Sequence, residues 1–252
     1  MIPCVVISEQ RTGSNLLLGQ IAQHPDITNF GEVFNPKQVS AVPKTLSREQ
    51  YLALKADDPV RALQEHIFPP SAISDEPPVH VFKLQYQNIK SADGDRVMDL
   101  LSTVSADLHV IHLIRRNAFE RYVSKLNAEK TSKYFVSKGS EQPRLPDPYP
   151  IGREEARRAM RHYLDDVQMV KGRFKGKGWP HKLTVFYEDL VTQRMKTMKR
   201  IFEFLNLPPM RPEIRSQKQS IPPRFQVRNY EKLREHFSES SFADFFEAGP
   251  GY

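Results

Sequence analysis

At 252 residues, 39% hydrophobic and 27% charged, the chain is long enough for one sizeable core, or one core with an inserted lobe. No apolar run approaches the length of a transmembrane helix, and a single cysteine, Cys4, excludes an intramolecular disulfide. The net charge of +7 points to an anionic ligand or acidic polymer, or equally to a solvated excess of Lys and Arg; no recognised nucleic-acid module is present.

Residues 3–8 (PCVVIS) form a short apolar, β-branched run with the profile of a buried strand. Residues 15–23 carry Leu16, Leu17, Leu18, Ile21 and Ala22, the clustering of a buried or amphipathic helix. Between them lies EQRTGS. A strand that turns through Gly13 into a helix aims backbone N–H groups and the positive end of the helix dipole at one point, which favours phosphate or sulfate. Arg11 adds a forked cation, and Thr12, Ser14 and Asn15 add hydrogen-bonding groups. The window is not a Walker A loop, since both its first Gly and its Gly-Lys pair are missing. The plain alternative is a strand–turn–helix corner that happens to carry an Arg.

RTGSNLL directly after an N-terminal strand resembles the 5′-phosphosulfate loop of the sulfotransferase superfamily. The Arg-Thr-Gly-Ser variant is that of carbohydrate sulfotransferases, such as the bacterial trehalose and nodulation-factor enzymes, rather than the Lys-Ser-Gly-Thr of the soluble aryl and steroid enzymes. Eukaryotic Golgi members carry a membrane anchor. With the first strand reached by residue 3 and no room for a signal peptide, the resemblance implies a cytoplasmic, bacterial enzyme.

After a His-Pro-Asp turn, residues 27–35 (ITNFGEVFN) hold Glu32 among Phe30, Val33 and Phe34. A carboxylate in apolar surroundings has a raised pKa, which suits a general base; the alternative is a loop glutamate in water. In the related sugar sulfotransferases a Glu just after the first helix takes the proton of the acceptor hydroxyl, and Glu32 sits where that residue would be. Helical signals at 48–56 and 59–67 and a break at 69–78 mark a variable insert beside the acceptor pocket. Residues 79–86 (VHVFKLQY) alternate as a strand. Its Lys83 is either an edge or surface lysine or, as the resemblance implies, a residue near the sulfuryl group.

Residues 94–104 read as a helix, and 108–114 (LHVIHLI) as a buried strand running into Arg115 and Arg116. Asn117 is a good N-cap for the helix that follows. Arg116 and Ser124 stand eight residues apart in RNAFERYVS, as in the family's 3′-phosphate motif; without the resemblance this is an ordinary βα unit. Residues 127–152 are irregular, with Tyr134, Phe135 and Tyr149 as candidates to stack on a sugar. A long amphipathic helix at 153–174, a strand at 182–188 ending in YEDL and a helix at 195–205 follow. The basic, Pro-rich stretch 211–228 offers Lys218, Gln219 and Ser220 as nucleotide contacts by a superfamily habit, or is simply a solvated charge run. The closing FADFF packs back on the domain.

Strands alternating with helices give an α/β, three-layer P-loop-like fold with a mainly parallel central sheet, its ligand at the strands' carboxyl ends. One domain spans 1–252, with acceptor-side inserts at about 36–78 and 127–152. The resemblance implies sulfuryl transfer from 3′-phosphoadenosine 5′-phosphosulfate (PAPS) to a hydroxyl of a carbohydrate or glycolipid. Glu32 would be the base, and Arg11 and Lys83 would act on the transferred group. Arg11, Thr12, Gly13, Ser14, Asn15, Arg116, Ser124, Lys218 and Gln219 would hold the nucleotide, leaving 3′-phosphoadenosine 5′-phosphate (PAP). No metal, nucleic acid or transmembrane segment is expected, and an oligomer is open. Two rivals are a P-loop-like small-metabolite kinase, for which Glu188 and Asp189 would mimic a Walker B carboxylate, and a non-catalytic nucleotide- or anion-binding protein.

Overall fold

The computed structural model describes residues 1–69, 77–103, 106–132, 145–175, 179–214 and 221–247. Among these residues five strands form one all-parallel sheet: β1 (Ile2–Ser8), β2 (Ile27–Glu32), β3 (Val79–Gln85), β4 (His109–Ile114) and β5 (His181–Phe186), in the order β2-β3-β1-β4-β5. The sequence reading names four of these; β2 is the addition. Its segment, ITNFGE, lacks an apolar run because it is an edge strand with a break in register between Asn29 and Glu32. Gly31 turns there with φ 65°, and the Asn29 side chain accepts its N–H at 2.9 Å.

The all-parallel sheet is covered on both faces, and β1 shows why its residues are nearly all apolar. Val5 and Ile7 enter one core and Cys4 and Val6 the other. Burial pushes the Cys4 thiol pKa up, so it packs as a small hydrophobe. On the Cys4 face lie α1 (Ser14–Ile21) and, later in the chain, the helix Arg194–Phe204, packing Leu17 and Ile21 with Met198 and Phe202. On the other face lie α2 (Arg48–Asp57), α3 (Pro59–Ala62, continuing as one wide turn over Leu63–Ile67), α4 (Tyr86–Lys90) and α5 (Gly94–Thr103). The same core takes in α6 (Ala118–Thr131) and α7 (Arg153–Lys175).

The strand expected to end in YEDL stops at Phe186, and Tyr187 opens the short α8 (Tyr187–Thr192), followed by α9 (Arg194–Phe204). The stretch read as irregular from residue 127 remains helical to Thr131. Further on come α10 (Pro223–Gln226), α11 (Tyr230–Phe237) and a single tight turn, Ala243–Phe246. Phe246 rests on Phe119 of α6, ring centroids 4.5 Å apart, so the FADFF end does pack back. Tyr149 bridges to Val227 and gives its hydroxyl to Asn127 at 2.9 Å, so its phenol is tied to the domain rather than offered to a sugar. Tyr134 and Phe135 lie outside the described residues, as does part of each expected insert. Among the described residues no helix is long and apolar enough to cross a membrane.

Candidate active site

The turn between β1 and α1 is held from below. Three successive carbonyl oxygens are engaged: Glu9 by the Thr12 hydroxyl at 2.7 Å, Gln10 by Arg121 Nε at 3.1 Å and Arg11 by an Arg115 N–H at 3.3 Å. Because the peptide is trans, an inward carbonyl turns the following N–H the other way, so the amides of Arg11 and Thr12 face away from the two arginines. Arg11 (φ 65°) and Gly13 (φ 89°) both take the left-handed conformation, which ordinary residues resist. Gly13 is needed twice over, since a Cβ there would lie 2.4 Å from the ring of Tyr187. Helix α1 then begins with no side chain capping its first amides, which leaves their donors and the dipole available to an anion.

Across the sheet edge, the break in β2 brings Glu32 opposite Lys83 of β3. Their Oε1 and Nζ are 2.5 Å apart, with the side chains 17% and 4% exposed. Lys83 belongs to an interior strand and is buried, so the edge or surface reading of it falls away. Burial by itself pushes the Glu32 carboxyl up. The charge and hydrogen bond of Lys83, with bonds from Asn35 and Gln85, outweigh it and leave the pKa below the ordinary value. The expectation of a raised pKa is therefore corrected: apolar neighbours in sequence did not reveal a cation from another strand.

Of the other anticipated residues, Thr12 is fully buried, its hydroxyl shaping the turn, while Ser14 is buried and Asn15 exposed at the start of α1. Ser124, buried in α6, accepts a hydrogen bond from Arg11 Nε at 3.1 Å, so the two motifs meet through this pair. Arg116 is engaged elsewhere. It is 49% exposed, grips both oxygens of Asp189 at 2.7 and 3.1 Å, and stacks on Phe186. Glu188 accepts the backbone N–H groups of Arg116 and Asn117, and the Asn117 side chain caps α6 as expected, accepting from Glu120 N at 2.8 Å. Lys218, Gln219 and Ser220 lie outside the described residues.

The profile of the sulfotransferase family matches residues 3–212. The chain belongs to the sulfotransferase family. It is 26% identical over 254 residues to Nodulation protein H of Rhizobium meliloti, covering 97% of this chain and 95% of that protein. Among solved structures it is similar to the sulfotransferase domain from the curacin biosynthetic pathway, with a TM-score of 0.52 and 16% identity, covering 96% of this chain and 95% of that one. The sulfotransferase from Alicyclobacillus acidocaldarius matches with a TM-score of 0.51 and 14% identity, covering 96% and 91%. These two likenesses are of fold, and the α/β expectation holds with them.

In this sulfotransferase, three residues that support the site carried no local signal in the sequence. Arg115 and Arg121 are buried beneath the loop; Arg115 pairs with Glu120 at 2.8 Å and lies over the Tyr187 ring, while Arg121 lies over Tyr163. In sequence they are two more basic residues in a helix and its approach. Lys55 of α2 is buried, donates to the Gln38 carbonyl and lies over Tyr51. Burial pushes its pKa down to about 8, against the opposing charge of Glu32.

Proposed function

We propose that this sulfotransferase moves a sulfuryl group from PAPS to a hydroxyl of a carbohydrate or glycolipid, with Glu32 as the base. The single observation that carries the reading is the buried Glu32–Lys83 pair at the carboxyl ends of β2 and β3, beside a loop built to receive an anion. The residues present fit such a donor. The α1 N-terminus has no side-chain cap, and Ser8, at the carboxyl end of β1, has a buried hydroxyl without a hydrogen-bond partner among the described residues. Arg116 and Ser124 would hold the 3′-phosphate. That requires Arg116 to exchange Asp189 for phosphate, which its half-exposed position permits.

In the transfer, Glu32 takes the acceptor hydroxyl proton as the oxygen forms its bond to sulfur. The bond from sulfur to the bridging oxygen breaks, and its electrons leave on the 5′-phosphate of PAP. Lys83 keeps Glu32 ionised before the step and, with Arg11 and the loop amides, opposes charge growing on the bridging and equatorial oxygens. The carbohydrate acceptor rests on the RTGS and GEVF resemblance. Glycolipid and free-sugar acceptors share the same hydroxyl chemistry. The protein is read as a cytoplasmic, bacterial enzyme on the same resemblance.

Calorimetric titration tests the donor. PAP is expected to bind at micromolar concentration, Arg116→Ala to lose that binding, and ATP–Mg to give none. Preference for ATP would overturn the reading. Glu32→Gln is expected to lower turnover by about 10²–10⁴ while PAP affinity stays within a few-fold; full activity in that variant would remove Glu32 as base.

A further inference from the structure

Away from the catalytic end, a cavity of about 220 Å³ opens between the last turns of α7 and strands β4 and β5. Tyr163, on the same helix, bonds to the backbone of Arg115 at the catalytic end. Lys171, which lines the cavity, follows eight residues later, about 12 Å along the helix axis. The two places are therefore separate.

The cavity combines an apolar wall with uncompensated positive charge. Val110, Phe174 and Leu183 supply the wall. Lys171, Lys175 and Lys182 supply the charge, and none of the three pairs with a carboxylate among the described residues. Arg200 adds a fourth cation nearby by donating to the Thr184 carbonyl at 2.7 Å. His112, on the wall, lies with Nε2 2.5 Å from the Tyr86 hydroxyl oxygen. Burial, with the charge of Lys171, pushes its pKa down to about 4, so the ring is neutral at neutral pH and the lysines set the local field. Lys182 Nζ donates one bond to the Phe174 carbonyl at 3.3 Å, which leaves its charge unneutralised, and like charges gathered without carboxylates around a low-dielectric wall attract an anion. The volume lies below the roughly 300–1,000 Å³ typical of pockets for drug-sized ligands, which restricts the occupant to one ring or a short acyl chain.

We propose that this cavity is a second binding site, for a small organic monoanion whose apolar body packs on Val110, Phe174 and Leu183 and whose head group meets Lys171, Lys175 and Lys182. The site does not depend on the identity of the sulfuryl donor.

The test titrates benzenesulfonate into the full chain, with benzylammonium as a one-ring probe of opposite charge, read at the His112 ring signals by NMR. The sulfonate is expected to shift the His112 signals to saturation, and the ammonium to leave them unmoved. A Lys171→Glu/Lys182→Glu double variant, both positions exposed, is expected to weaken the sulfonate by at least about tenfold. Arg11→Ala is expected to leave its affinity unchanged. Equal response to both probes, an unmoved His112, undiminished binding in the double variant, or loss of binding in Arg11→Ala would each overturn the site.

Discussion

Replacing Lys83 by Met removes the cation from the Glu32 pair while keeping the volume of the side chain. In the parent protein the carboxyl titrates below its ordinary value. Its contribution to stability is therefore present above the unfolded-chain value, about 4.3, and is lost only as pH falls through the lower folded value. In Lys83→Met the burial remains, the paired charge is gone, Lys55 is left as the remaining cation coupled to Glu32, and only Asn35 and Gln85 still bond the carboxylate. The folded pKa then moves above the ordinary value, and the sign of the linkage reverses: stability falls as pH rises from about 4.3 through the new folded value.

Breaking a buried pair costs about 3–5 kcal/mol. Glu32 is 17% exposed and keeps two other bonds, so the lower end applies, about 3 kcal/mol at pH 7.5. For a chain of this size that is a fall in Tm of about 6–12 °C. Thermal unfolding of parent and variant at pH 4.5 and 7.5 measures it. The deficit should shrink on acidification by about 1.4 kcal/mol for each unit by which the carboxyl pKa is raised. A deficit independent of pH, or one that grows in acid, would refute the account of this pair.

Gly13→Ala forces a left-handed φ on a residue with a Cβ and drives that carbon into the Tyr187 ring; it should cost about 1–2 kcal/mol in urea unfolding and weaken PAP at least about tenfold. Ser124→Ala removes the acceptor for Arg11 Nε and should weaken PAP by about tenfold, the scale of one hydrogen bond to a charged group, with little change in Tm. Arg116→Ala breaks a half-exposed pair with Asp189 and should change stability by less than about 1 kcal/mol while abolishing measurable PAP binding; a large stability loss with intact binding would make the residue structural. Asn117→Ala loses the α6 cap and the bond to the Phe245 carbonyl, an expected cost of about 1–2 kcal/mol in the same unfolding assay.

The geometry of the β1–α1 turn and of the α6 cap was legible because its signals are local. A strand, a turn through Gly and a helix occupy one short window, so RTGS announces a strand–turn–helix corner with uncapped amides wherever the rest of the chain goes. Asn117 is legible for the same reason, since a cap bonds an amide three residues away. The missed residues act over long separations. Arg121 holds the Gln10 carbonyl across 111 positions, and Tyr187 presses on Gly13 from the far end of β5. Strand β2 was missed because an irregular edge strand need not carry an apolar alternation.

By itself the sequence determined four of the five strands, their alternation with helices, the Gly turn that leads from β1 into α1 and the presence of an acid at position 32. Those follow from residue types within one or two turns of the chain. Tertiary structure alone decided the ionisation of that acid. Lys83 lies 51 residues away, and only the pairing of β2 with β3 brings its charge within 2.5 Å of the carboxylate. Whether Glu32 is raised by burial or lowered by a partner depends on a distance, and no local pattern of residues contains it.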